Sequence, residues 1–283
     1  MVTEEEVKAM MIAMKKRYDL DFTNYESKSL SRGIVRLMTK HRMNGMADLW
    51  GKVLQDDEFF LNSIDDLLVN LTELFRNPDA WLMIKNEILP QFKFKNNLDI
   101  WHAGCSTGEE VCTMAIVLEE VGQLHKSRIL ASDLSRTALS KAKAGCYSNA
   151  SMRNYGRPFK KFMPNRELED FFNFSESGAC IKQHYIKNVE YKQQNLVECE
   201  MDRKFDVIFC RNVLIYFDGE LKTRLLSFFE SCLKEDGYLI LGYYDTMPNQ
   251  SIDIFDIHDQ STRIYKKKVN SKVNNYEKDS VNC

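Results

Sequence analysis

The stretch Ile100-Trp101-His102-Ala103-Gly104-Cys105-Ser106-Thr107-Gly108-Glu109-Glu110 decides the fold. The apolar run over 98–101 reads as a short strand. Two glycines four apart follow, and the chain then takes a helical pattern with Ala115, Ile116, Leu118 and Val121 on its apolar side. Strand, glycine turn and helix in that order bring the backbone close to a nucleotide-like ligand. The spacing is G-x-x-x-G, not the G-x-G-x-x-G of dinucleotide folds, and Glu109 and Glu110 repel phosphates at the helix start. Such a turn suits a ligand that is cationic or rich in hydroxyls. S-adenosylmethionine is both, with a sulfonium, an ammonium and a ribose. On these residues alone a purely structural turn stays open.

Toward the C-terminus, strand patterns at 128–132, 189–193, 205–210 and 238–242 alternate with helical patterns at 110–124, 135–144 and 219–233. That alternation predicts a parallel sheet covered on both faces, with ligands at the carboxyl ends of its strands. The end segments 252–257 and 263–267 alternate apolar and polar residues and predict an antiparallel pair at the sheet edge. Asp133 directly follows the second strand, where a carboxylate accepts from ribose hydroxyls; the other reading makes it part of a helix cap before Ser135. Asn195 and Leu196 follow the third strand and offer an amide and an apolar edge to an adenine. The buried strand 205–210 ends on Arg211-Asn212, which marks an opening onto something polar. Between Cys146 and Lys187 lie about forty residues more than the βαβ pattern needs, and they read as a small inserted subdomain with strands.

Upstream of 88 the pattern is helical throughout. A helix over 27–43 buries Leu30, Ile34, Leu37 and Met38 and sets Lys28, Arg32, Arg36 and Lys40 in a row on its other side. A solvated face is one reading of the row; its lack of interleaved acids, and the self-repulsion that follows, give an acidic partner surface as the other. In the segment 67–78, Asn70, Thr72 and Arg76 stand among leucines and Phe75, as a helix end or as a ligand lid.

A net charge of -2 speaks against a dedicated nucleic-acid binder, and no apolar run reaches membrane-spanning length. The acidic Met1-Val2-Thr3-Glu4-Glu5-Glu6 start is unlike a signal peptide, so the reading is cytoplasmic. The eight cysteines show no C-x-x-C pairing; they are read as free thiols, and no metal site is expected. The polar segment 269–283 reads as a disordered tail.

Four segments taken together resemble the chemotaxis receptor methyltransferase family, CheR. They are Asn70-Leu71-Thr72-Glu73-Leu74-Phe75-Arg76, Cys105-Ser106-Thr107-Gly108-Glu109-Glu110, Ala131-Ser132-Asp133, and Phe209-Cys210-Arg211-Asn212-Val213-Leu214-Ile215-Tyr216-Phe217-Asp218. The resemblance implies a class I S-adenosylmethionine-dependent methyltransferase fold over residues 89–268, an all-α domain over 1–88 and an inserted β-subdomain over 147–187. It implies methyl transfer from S-adenosylmethionine to glutamate side chains of chemoreceptors. By position it makes Asn70, Thr72, Arg76, Glu110, Asp133, Asn195, Leu196, Arg211 and Asn212 cofactor contacts. Arg76 and Tyr216 then stand beside the reacting centre. It assigns Lys28, Arg32, Arg36 and Lys40 to the acidic receptor helices. An unpaired strand edge on the inserted subdomain would dock an extended peptide, such as a receptor C-terminal one; the other reading makes the subdomain a structural flap. Two departures stand out: Val111-Cys112 where relatives often have Pro-Tyr, and Tyr243-Tyr244-Asp245 where they tend to have His-Ser-Glu. A different methyl acceptor, or a cofactor-sensing scaffold without catalysis, are the rival readings.

Overall fold

The computed structural model describes residues 2–18, 20–67 and 72–268. Asn70 and the segment 269–283 lie outside the described residues. The chain begins with four helices, α1 (Glu4–Tyr18), α2 (Ser27–Lys40), α3 (Met46–Gln55) and α4 (Asp57–Leu67). Their apolar faces meet in a core of their own, with Val7, Met10, Ile34, Leu37, Leu49 and Phe60 almost fully buried. Helix α2 stops at Lys40, three residues short of the predicted end.

After Arg76 comes α5 (Pro78–Met83), which continues through one π turn and one 3₁₀ turn to Phe92. Leu74, Phe75, Trp81, Ile84, Ile88 and Phe92 pack with the sheet and not with the four helices. The expected boundary at residue 88 is therefore corrected, because the break between the two cores falls after Leu67. The helical pattern of the sequence runs on past that break, and only packing reveals it.

The sheet strands are β1 (Leu98–Ala103), β2 (Ser127–Asp133), β6 (Val189–Gln193), β7 (Phe205–Cys210), β8 (Leu233–Leu241), β9 (Phe255–Asp259) and β10 (Ile264–Lys267), in the order β6-β2-β1-β7-β8-β10-β9. The first five are mutually parallel; β10 runs antiparallel to both β8 and β9, which gives the predicted edge pair. Side chains alternate between two cores, as strand geometry requires. Ile100, Val207, Phe209 and Ile240 face α5 and α6 (Glu109–Glu120), whereas Trp101, Ile208, Cys210 and Leu239 face α9 (Gly219–Cys232). Both faces are covered, so β1 and β7 are buried along their whole length.

The insertion leaves the main fold after α7 (Arg136–Ala144). It holds β3 (Cys146–Ser148), α8 (Asn149–Phe162), β4 (Phe172–Ser175) and β5 (Gly178–Ile181) in a three-stranded antiparallel sheet ordered β3-β5-β4. Cys146 and Cys180 face each other across β3 and β5 and are joined in a disulfide. The reading of every cysteine as a free thiol is corrected for this pair. The two residues are 34 apart in sequence, and only strand pairing brings them together.

Candidate active site

Four strands of the parallel set, β6, β2, β1 and β7, end at one cleft of about 910 Å³, a volume that includes the open solvent at its mouth. Thr72, Arg76, Glu110, Asp133, Asn195, Leu196, Arg211, Asn212 and Tyr216 all line it, so the structure brings together every predicted site residue that it describes.

The opening wall is the turn after β1. Gly104 (φ 83°) and Gly108 (φ 87°) both take left-handed backbone, and a Cβ on Gly104 would fall 2.6 Å from Val213 Cγ2. The Gly104 and Cys105 N–H groups donate to the Ser132 carbonyl at 2.8 and 2.9 Å, which ties the turn to the end of β2. Asp133, next along, accepts from the N–H groups of Ser106 (2.7 Å) and Ser135 (2.9 Å). The cap of α7 is Ser135 itself, whose hydroxyl accepts from the Ala138 N–H. Asp133 also lines the cleft.

Glu110 is the centre of a buried charge network. Its Oε1 lies 2.8 Å from His102 Nδ1 and its Oε2 accepts from Arg211 Nη1 at 3.1 Å. Burial pushes this carboxyl upward, but His102 and Arg211 outweigh it and hold the carboxyl below its ordinary range. The Arg211 guanidinium also donates to the Arg76 carbonyl (2.8 Å) and Asn77 Oδ1 (3.0 Å) and lies over the Trp81 ring. Glu110 thus reaches the linker between the two cores through a single arginine.

That linker is shaped by Phe75. Its backbone takes φ 54°, unusual for a bulky residue, and is held by the N–H bond to Thr113 Oγ1 at 3.0 Å and by ring contacts with Phe159 and Phe162. With Leu74 and Phe75 buried, Thr72, Glu73 and Arg76 turn to the cleft.

The far wall comes from the loop after β7. The four-helix unit is stitched to it: Glu26 N–H donates to the Tyr216 carbonyl (2.8 Å), Asp218 N–H to the Asn24 carbonyl (2.9 Å), and the Tyr25 and Phe217 rings meet edge to face. Glu26 also caps α2 through the Ser29 N–H, so α2 starts beside Tyr216. Burial raises the Tyr216 phenol, while Arg76, Arg36 and Arg32 act against that rise. The row Lys28, Arg32, Arg36 and Lys40 is exposed on α2. Sequence reasoning missed Tyr25, Glu73, Leu134 and Gln194 as cleft residues. Leu134 and Gln194 directly follow strand ends, a signal that could have found them; Tyr25 reaches the cleft only through the docking of the two units.

The lining fits S-adenosylmethionine. Ser106 Oγ, Gln194 Oε1 and Asn212 Nδ2 are buried at the cleft wall with no partner among the described residues, and Glu110 and Asp133 supply negative charge beside them. Among the described residues no group of His, Cys, Asp and Glu could hold a metal ion, and no helix is long and apolar enough to cross a membrane.

A parallel sheet with a terminal antiparallel pair, and a cofactor cleft over its strand ends, define a class I S-adenosylmethionine-dependent methyltransferase. Residues 70–264 match the model of the CheR methyltransferase SAM-binding domain, and residues 5–68 match that of the CheR methyltransferase all-alpha domain. The chain belongs to the CheR methyltransferase family. It is 31% identical to the Pseudomonas putida protein named Cher3, over 94% of this chain and 97% of that one. The chemotaxis protein methyltransferase of Borreliella burgdorferi is 35% identical over 65% of this chain and 67% of its own. That of Vibrio cholerae, chemotaxis protein methyltransferase 1, is 30% identical over 75% and 78%.

Of the two departures, Val111 and Cys112 are fully buried, and the Cys112 thiol sits 3.3 Å from the Tyr147 hydroxyl, so this change concerns packing. Tyr243 and Tyr244 are exposed, and Tyr243 lines a groove that shares Glu73 and Arg211 with the cleft.

Proposed function

We propose that the chain methylates glutamate side chains on acidic cytoplasmic helices of chemoreceptors, giving glutamate methyl esters and S-adenosylhomocysteine. The observation that carries this reading is the meeting of two features at one end of the cleft: Arg76 with Tyr216, and the cationic face of α2 close enough for Arg32 and Arg36 to act on the Tyr216 phenol. A glutamate is already ionised at neutral pH, with a reference pKa of about 4.3, so no general base is required. S-adenosylmethionine supplies a methyl group activated by its sulfonium. The chain's part is to hold a carboxylate oxygen in line with that methyl, away from water. Arg76 orients the carboxylate through charge-assisted hydrogen bonds and Tyr216 forms the wall opposite. Asp133 takes the ribose hydroxyls, Asn195 and Leu196 the adenine, and Thr72, Glu110, Arg211 and Asn212 the remaining cofactor contacts; Asn70 joins them by family resemblance alone.

The α2 row recruits the acidic helix, and a receptor C-terminal peptide docks as an added strand on the inserted sheet. Strand β4 pairs only with β5 among the described strands and carries an exposed Phe174, which supports that mode of docking. The test is transfer of labelled methyl to receptor fragments, followed by base treatment. Label released as methanol identifies an ester, whereas base-stable label points to another acceptor and no transfer to a scaffold. Arg76→Ala should abolish transfer with the fold intact; near-normal turnover would remove Arg76 from the mechanism.

A further inference from the structure

One fully buried carboxyl, Asp245, does not line the cleft, yet it holds three backbone donors, one of them on the cleft residue Asn212. Its Oδ2 accepts the N–H of Asn212 at 2.5 Å and of Gly242 at 2.7 Å, and its Oδ1 accepts that of Ile215 at 3.1 Å. Asn212 and Ile215 belong to the loop after β7, and Gly242 directly follows β8. Asn212 sits at φ 59°, in the left-handed region that asparagine enters more readily than most residues. The space around the clamp is filled, since a Cβ on Gly242 would fall 2.5 Å from the Asn212 nitrogen and 2.7 Å from Asp245 Oδ2.

We infer that Asp245 is a positioning residue whose carboxylate fixes the 212–216 loop, so that Asn212, Val213 and Tyr216 present one cofactor-binding surface to the cleft. Both oxygens act as acceptors toward backbone N–H groups that follow two different strands, so the clamp calls for an ionised carboxylate. The charged and titratable groups facing it are Arg211, which favours the anion, and the Cys210 thiol and Tyr216 phenol. Burial raises the Asp245 carboxyl to about 6 against the pull of the three N–H groups and Arg211. Protonation turns one acceptor oxygen into a donor that faces a backbone N–H. The clamp is therefore closed above that value and loosens as pH falls through it.

This inference rests on the cleft as the cofactor site and is independent of the acceptor's identity. The experiment measures S-adenosylhomocysteine affinity of the full chain from pH 5 to 8 by calorimetry, beside turnover. For the unaltered protein, affinity should drop about fourfold between pH 7.5 and 5.5, in step with the fraction of closed clamp. Asp245→Asn places an amide N–H₂ against a backbone donor. It should bind weakly throughout, by roughly tenfold or more, and lose the acid limb. Asp245→Glu, which keeps the carboxylate, should recover a pH-dependent limb. An Asn variant with unaltered affinity and the same acid limb overturns the inference. If that variant does not fold, a flat profile for the unaltered protein between pH 5 and 7 overturns it equally.

Discussion

The two sides of the cleft are built on opposite principles. On the cofactor side, Glu110, His102 and Arg211 form a network whose side chains are no more than 14% exposed; the Glu110 carboxylate is matched at both oxygens, while His102 Nε2 and Arg211 Nε have no partner among the described residues. On the α2 side, Lys28, Arg32, Arg36 and Lys40 stand exposed along one helix face, carried by an apolar face that would pack equally well beneath other surface residues. Buried ion pairs add little net stability when complete but are costly to break, because the remaining charge is left without a partner. Exposed charges cost and contribute little one at a time. The cofactor side is thus bound to the integrity of the fold, whereas the α2 side, proposed above for recognition, can change with the partner.

The sharpest way to break this comparison is Glu110→Ala. With the carboxylate gone, Arg211 keeps only neutral acceptors in a buried place, and unfolding free energy should fall by about 3–5 kcal/mol in denaturant titration. A loss no larger than that of a surface substitution would mean the network is not a unit. The pH dependence has a definite sign. Glu110 is held below its unfolded value of 4.5, so its contribution is fully present above that value and is lost as pH falls through the depressed folded one. In Glu110→Gln this loss of stability below about pH 4.5 should disappear, as followed by thermal unfolding between pH 3 and 7.

The same contrast governs what could be read from the sequence. Strands covered on both faces are apolar runs, and polar residues at their ends mark the cleft; Asp133 and Arg211 were legible for that reason, and Asn195 by its place just past the half-exposed edge strand β6. Gly104 and Gly108 were legible because backbone there takes positive φ. What stayed hidden depends on packing at long range. Residues 74–92 have a helical pattern whichever core they join, and their place beside the sheet is decided by contacts such as Trp81 with Phe209. Cys146 and Cys180 meet only through strand pairing, and Tyr25 enters the cleft only because residues 24–26 bond to the loop ending at Asp218. Asp245 lies three residues past Gly242 in a segment whose tyrosines drew attention to its surface, while its carboxyl works inward.

On the recognition side the effects should be smaller and confined to binding. Reversing two charges, Arg32→Glu with Arg36→Glu, should raise KM for an acidic receptor fragment about tenfold at low salt while kcat stays within about twofold. Stability should change by no more than about 0.5 kcal/mol, since neither side chain is buried. The difference in KM should shrink at 0.5 M salt, where the screening length is only a few ångströms. An unchanged KM would detach α2 from acceptor recognition and leave the cleft to select its substrate alone.

The smallest effect belongs to Lys28→Ala, and it tests whether the row acts as a summed field or as separate contacts. Lys28 lies in the first turn of α2, beside the Glu26 cap, where the helix dipole disfavours a cation. Its removal should leave stability unchanged or raise it by a few tenths of a kcal/mol. A summed field loses one of four exposed charges, and KM should then rise by about twofold or less, measured from initial rates at low salt. If Lys28→Ala matches the tenfold effect of the double reversal, the row works through a specific contact at its N-terminal end. Recognition would then be built like the cofactor side, from individually matched bonds, and the contrast between the two walls would fail.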